Sequence, residues 1–136
     1  MYLVYSPEGS DEPKRFKYNP RKIMSVEREN IERLTSRNWS AFTKDVIQGN
    51  SLCRRVLLFT YLKREHPTVK LDDVDFAWDE LKLEYSKAEL IQLREGVSEN
   101  ATGDERAATL AQLDLEIAEA FDDPEDEGKA SLPVAD

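Results

Sequence analysis

The sequence predicts a mainly helical α+β fold: a small helical domain carrying an N-terminal β-hairpin and a short additional strand, followed by a disordered acidic C-terminal tail. Three observations predict it. The first twenty residues hold two β-branched and aromatic runs around a turn-rich stretch. From Ser25 to Gly96 the apolar residues recur mostly at helical spacing, bounded by capping residues. The charge is also divided: residues 1–98 carry 16 acids and 17 bases, whereas residues 99–136 carry 12 acids and 2 bases. The net charge of −9 therefore belongs to the C-terminal part.

In chain order, "YLVYS" (Tyr2–Ser6) and "KRFKYNP" (Lys14–Pro20) flank "PEGSDEP" and read as a hairpin over residues 2–18. Such a hairpin is marginal alone and has to lie against another element. After Pro20 the period changes. "MSVERENIERLTS" predicts a helix over about 25–36, with Ser25 as N-cap and Val26, Ile31 and Leu34 as apolar marks. Asn38 caps a second helix over about 39–48, whose Trp39, Phe42, Val46 and Ile47 share a face and which Gly49 ends. "NSLCRRVLLFTYLKREHP" predicts a third over 51–65. Leu52, Cys53, Val56, Leu57, Leu58, Phe59, Tyr61 and Leu62 cover more than one of its faces, which marks a central helix around which the core is built. A short helical turn starts at Asp72, and Leu81, Leu83 and Tyr85 alternate as a strand. Ser86 then caps a helix over 86–95, with Gly96 past its end.

These elements make residues 1–98 one globular domain. "VSENATGD" reads as a linker, so residues 99–121 comprise linker and amphipathic helix, and residues 122–136 an acidic flexible tail. In the amphipathic helix Leu110, Leu113, Ile117 and Phe121 form one narrow apolar seam, the candidate partner-binding surface. The seam either folds back on its own domain or waits for another helix.

Candidates for chemistry are few. One Cys and one His supply no closed zinc site, and Cys53 lies in the most apolar helix, where a thiol acts as a small hydrophobe. His66 follows a helix end beside Pro67, a capping position. "DDVDF" and "DDPEDE" lack the spacing of a calcium loop, and no glycine-rich phosphate cradle occurs. The expectation is a binding protein without catalytic residues, metal or cofactor. Nucleic acid is not an expected partner of so acidic a chain. A regulatory module contacting it through Lys14, Arg15, Lys17, Arg21 and Lys22, interleaved with Phe16 and Tyr18, is the minor alternative, because a hairpin edge also uses such cations to block edge pairing. No apolar run is long enough to span a bilayer, so no membrane is expected, and the lone cysteine suits a reducing cytoplasm.

The ordered segments "YNPRKIMSVERENIERLT", a Trp-containing helix, "LCRRVLLFTYLKREHPTVKLDDVDF" and "ELKLEY" resemble the tail assembly chaperones of long-tailed bacteriophages, in the form common among phages of actinobacteria. The marks are Ser25, Val26, Glu27, Ile31 and Glu32, then Arg64, Glu65, His66 and Pro67, then Asp73, Val74, Asp75 and Phe76. They fall within residues 18–85, about half of the chain. Thr35–Trp39 departs from the pattern, since a Gly is usual after the first helix.

The resemblance implies a non-catalytic chaperone that binds the tape measure protein, keeps it soluble and helps recruit the tail tube protein. Self-association is compatible with it. The implied location is the host bacterial cytoplasm, with the protein absent from the mature virion. In such genes a −1 slip near the end adds a downstream domain, often at G GGA AAA, which encodes Gly-Lys. Gly128 and Lys129 are the matching pair, and this chain would be the unframeshifted product. The alternative reading is another phage morphogenesis adaptor, a head–tail connector or scaffolding-type protein.

Overall fold

The computed structural model describes residues 1–100 and 103–121. The acidic tail expected over 122–136 lies outside them. Within the described residues the fold is mainly helical with one small sheet, as the sequence predicts. The chain divides into two compact units, Tyr2–Leu83 on one side and Met1 with the chain from Glu84 onward on the other. The division falls at Glu84, ahead of the boundary after residue 98 that the sequence predicts.

In the first unit, β1 (Tyr2–Tyr5) pairs antiparallel with β2 (Lys14–Lys17), with Leu3 opposite Phe16 and Tyr5 opposite Lys14. The strand β3 (Leu81–Glu84) lies on the other side of β1, giving the order β2-β1-β3. The Ser6 amide donates to the Glu80 carbonyl at 2.7 Å, where this second pairing starts. Three helices follow β2: α1 (Ser25–Thr35), α2 (Trp39–Gln48) and α3 (Ser51–Glu65).

Local chemistry sets their ends. The first helical residue of α1 is Ser25, so the cap position falls to Met24, whose amide donates to Glu27 Oε1 at 3.4 Å. The expected Ser25 cap is corrected by this one-residue shift. Asn38 Oδ1 accepts from the Ala41 amide at 2.8 Å and Asn50 Oδ1 from the Cys53 amide at 3.0 Å, each filling a donor that a helix start leaves open. At the turn after α1, where a glycine would be usual, Ser36 takes the left-handed conformation at φ 52°. Its cost is offset by the Glu32 side chain, which accepts from the Trp39 amide at 2.9 Å, and by the Arg37–Asp45 pair at 2.7 Å.

The core is built around α3, as expected, and α3 packs on both α1 and α2. Val56, Leu57 and Leu58 are fully buried together with Leu3, Ile31, Phe42 and Val46. Two of the eight apolar residues assigned to this core are corrected. Leu52 in the first turn is exposed and Leu62 near the end is half-buried. The buried hydroxyls of Thr35 and Thr60 satisfy themselves on the carbonyls four residues back, at 2.8 Å each.

The second unit is a helical hairpin, α4 (Lys87–Asn100) and α5 (Gly103–Glu119). The helix expected over 86–95 runs to Asn100, which also replaces the start of the expected linker. Gly96 does not terminate it. A glycine inside a helix costs only about 1 kcal/mol relative to Ala, and packing along α5 outweighs that. The start of α4 is as expected: Ser86 Oγ accepts from the Glu89 amide at 3.3 Å, and Glu89 Oε1 from the Ser86 amide at 2.9 Å.

Candidate functional site

The apolar seam lies on a helix that is already partnered. On α5 the covered positions are Arg106, Leu110, Leu113 and Ile117, one stripe at steps of four, three and four. Leu113 is buried, whereas Leu110, Ile117 and Phe121 are half-buried. On α4 the covered stripe is Leu90, Arg94 and Val97. The pairing is pinned at two points: Arg94 Nε donates to Asp114 Oδ1 at 2.6 Å, and the Lys87 amide donates to the Phe121 carbonyl at 3.0 Å. Of the two options left open for the seam, α5 therefore takes the one of packing within the chain, along α4. Left outward on the hairpin are Ile91, Leu93 and Leu115, the last 65% exposed. The spacing of the seam did not single them out. From Glu84 to Phe121 the sequence holds nine acids against Lys87, Arg94 and Arg106, so these apolar side chains sit on a negatively charged unit. Gly128 and Lys129 lie outside the described residues.

Within Tyr2–Leu83, two of the marks on which the resemblance rests touch each other. Glu27 and Arg64 form a two-pronged ion pair at 2.7 and 2.8 Å, joining the start of α1 to the end of α3. The guanidinium hydrogen bonds hold the Glu27 carboxyl below its ordinary range, and the carboxylate in turn raises Arg64. Arg64 also covers the ring of Tyr61, which stacks on Phe16 at 5.3 Å and donates its hydroxyl to the Lys17 carbonyl at 3.1 Å. Glu65 pairs with Lys14. Ile31 is fully buried and Val74 nearly so. Fold-building contacts thus account for Glu27, Ile31, Arg64, Glu65 and Val74 among these marks.

These same contacts bear on the basic cluster. Phe16 is taken up by Tyr61, and Tyr18 is buried with its phenol pushed up to about 12, chiefly by burial. Of the two aromatics that would stack on bases, Tyr18 is buried and the half-buried Phe16 is already stacked on a ring of its own chain. Arg21 and Lys22 are exposed on the turn after β2.

The remaining reactive groups stay apart. Cys53 is fully buried, and burial pushes its thiol up. His66 is exposed at the end of α3, where its amide donates to the Leu62 carbonyl at 2.8 Å. Among the described residues, no three or more His, Cys, Asp or Glu side chains gather where a metal ion could be held. A groove of about 440 Å³ lies between α1 and α3, with Val26, Phe59, Arg33 and Lys63 along it and the Glu27–Arg64 pair at its side. Its opposed charges and apolar floor suit an amphipathic side chain better than a reacting group. Among the described residues, no helix is long and apolar enough to cross a membrane.

Comparison with protein-family models, curated proteins and solved structures yields no match.

Proposed function

We propose that this chain acts by binding and not by catalysis, as a tail assembly chaperone that holds the tape measure protein in solution and helps bring tail tube subunits to it. The observation that carries this reading is the α4–α5 hairpin, which leaves Ile91, Leu93 and Leu115 outward on a strongly acidic unit. Outward apolar side chains on helices take up the apolar stripe of a client helix. The surrounding negative charge keeps the resulting complexes apart. The acids of 122–127 extend the same repulsion along the chain. The ordered marks between Ser25 and Phe76 point to this family. The chaperone works in the host cytoplasm and leaves before the virion is complete.

Co-expression with the tape measure protein of the same gene cluster tests the proposal. Soluble client is expected to rise severalfold with the wild-type chain and to fall back with Leu115→Glu combined with Ile91→Glu. A client equally insoluble with and without the chain would refute it. The codons of Gly128 and Lys129 are expected to read GGA AAA, with an overlapping −1 frame downstream.

A further inference from the structure

The longest acidic loop of the first unit, residues 70–80, is fastened at both ends. Arg55 of α3 donates to the Val74 carbonyl at 2.8 Å and to the Leu71 carbonyl at 3.0 Å, and Val74 is buried. At the far end the Glu80 carboxylate accepts from the Ala77 amide at 2.6 Å and from the Glu8 amide at 2.7 Å. Between these two anchors stands Trp78, the largest side chain in the loop, and it is 67% exposed.

Trp78 is not loose. The edge of its indole lies over the corner between α2 and α3, so close that a Cβ at Gly49 would stand 2.9 Å from Cη2. The Arg54 guanidinium is 5.6 Å from the ring centroid and is itself held by the Val46 carbonyl at 2.9 Å. Ile47 and Leu52, on either side of that corner, are also exposed, at 52% and 36%. An indole fixed by its edge, with apolar neighbours and an open outer side, is what an interface anchor looks like before its partner arrives. The fastened loop has little freedom left to lose on binding.

Beyond the Arg54 guanidinium on the ring, the exposed charge of the loop selects the partner. Asp72, Asp73, Asp75 and Asp79 are exposed, and Lys70 is the one cationic side chain between residues 70 and 80. A complementary surface carries an apolar side chain flanked by Lys or Arg. We propose that Trp78, with Ile47 and Leu52, forms a docking platform for a cation-flanked amphipathic helix of a partner protein. This rests on the chain acting by binding, as proposed above, and not on the identity of its client.

The test uses the full chain and a labelled peptide of about 15 residues, with Leu and Lys in helical spacing and no Trp, at about 0.15 M ionic strength. Binding is read by anisotropy of the label and by tryptophan emission. Trp78→Ala is expected to weaken binding about tenfold or more, and Trp78→Phe to recover part of the loss. Asp75→Lys with Asp79→Lys is expected to weaken it similarly, and a Leu–Glu peptide to fail to bind. Circular dichroism checks that each variant keeps its fold, which an exposed side chain should permit.

Because the C-terminal acids attract any cation, a variant with Asp122, Asp123, Glu125, Asp126 and Glu127 neutralised is measured alongside. It should keep the emission response. Unchanged affinity in both Trp78→Ala and the paired Asp variant overturns the platform, as does loss of all binding in the neutralised variant. Equal binding of the Leu–Glu peptide overturns the cationic assignment. Should Trp78→Ala lose the peptide and still solubilise the tape measure protein, the platform stands and serves a partner other than that client. Should it keep the peptide while the wild type solubilises the client, the platform fails and the chaperone reading survives.

Discussion

Gly49→Ala separates two contributions at one corner. The residue closes α2 at φ 88°, a conformation that costs a residue with a Cβ roughly 1–2 kcal/mol. The new methyl would also stand 2.9 Å from Trp78 Cη2, inside the closest approach real side chains make. Trp78 is exposed enough to swing aside, and in doing so it gives up its contact with Arg54, worth about 0.5–1 kcal/mol at such a site. The total is about 1.5–3 kcal/mol. For a domain of this size that lowers the melting temperature by about 5–15 °C. Urea denaturation followed by circular dichroism measures it, in a double-mutant cycle with Trp78→Ala. In the Trp78→Ala background only the backbone part should remain, leaving a coupling of about 0.5–1 kcal/mol. A Gly49→Ala protein within about 0.5 kcal/mol of wild type would refute both the left-handed turn and the ring contact.

Leu57→Ala should cost about 2–5 kcal/mol, since the side chain is fully buried in the central helix. A near-neutral result in the same assay would mean that the core lies elsewhere. Burial raises the phenols of both Tyr18 and Tyr61 above their ordinary value of 10. The fold therefore favours their protonated forms, and this contribution is intact below about pH 10 and lost as pH climbs through about 12. An alkaline titration should show a delayed step of phenolate absorbance that coincides with loss of helical circular dichroism. In the double variant Tyr18→Phe and Tyr61→Phe the delayed step should vanish. A single early step in the wild type would contradict it.

What the sequence made legible was the part governed by local chemistry. The unbroken apolar run of α3 has no half-exposed solution, so its central position follows from composition alone. Asn38 and Gly49 mark α2 because a helix start needs an acceptor and a left-handed stop favours glycine. The alternation in "LKLEY" marks β3 in the same way. What stayed hidden was decided by tertiary partners. Gly96 reads as a stop until α5 is seen to pack along the helix that contains it. Leu52 reads as core because its helix is apolar, yet it sits in the first turn and is exposed. The stripe on α5 was legible as a stripe. Its covering was not, because that depended on Leu90 and Arg94 of α4, about twenty residues earlier in the chain. Trp78 has no periodic partner in its own loop, so its exposure follows from contacts with Gly49 and Arg54, far away in sequence.

The start of α4 has a neighbourly consequence. Lys87 donates its amide to Phe121, and Glu89 holds the ammonium of Met1, so Met1 and Phe121, two residues past α5, meet at the first turn of α4. Cargo fused ahead of Met1 would remove that charge and crowd the contact between Lys87 and Phe121.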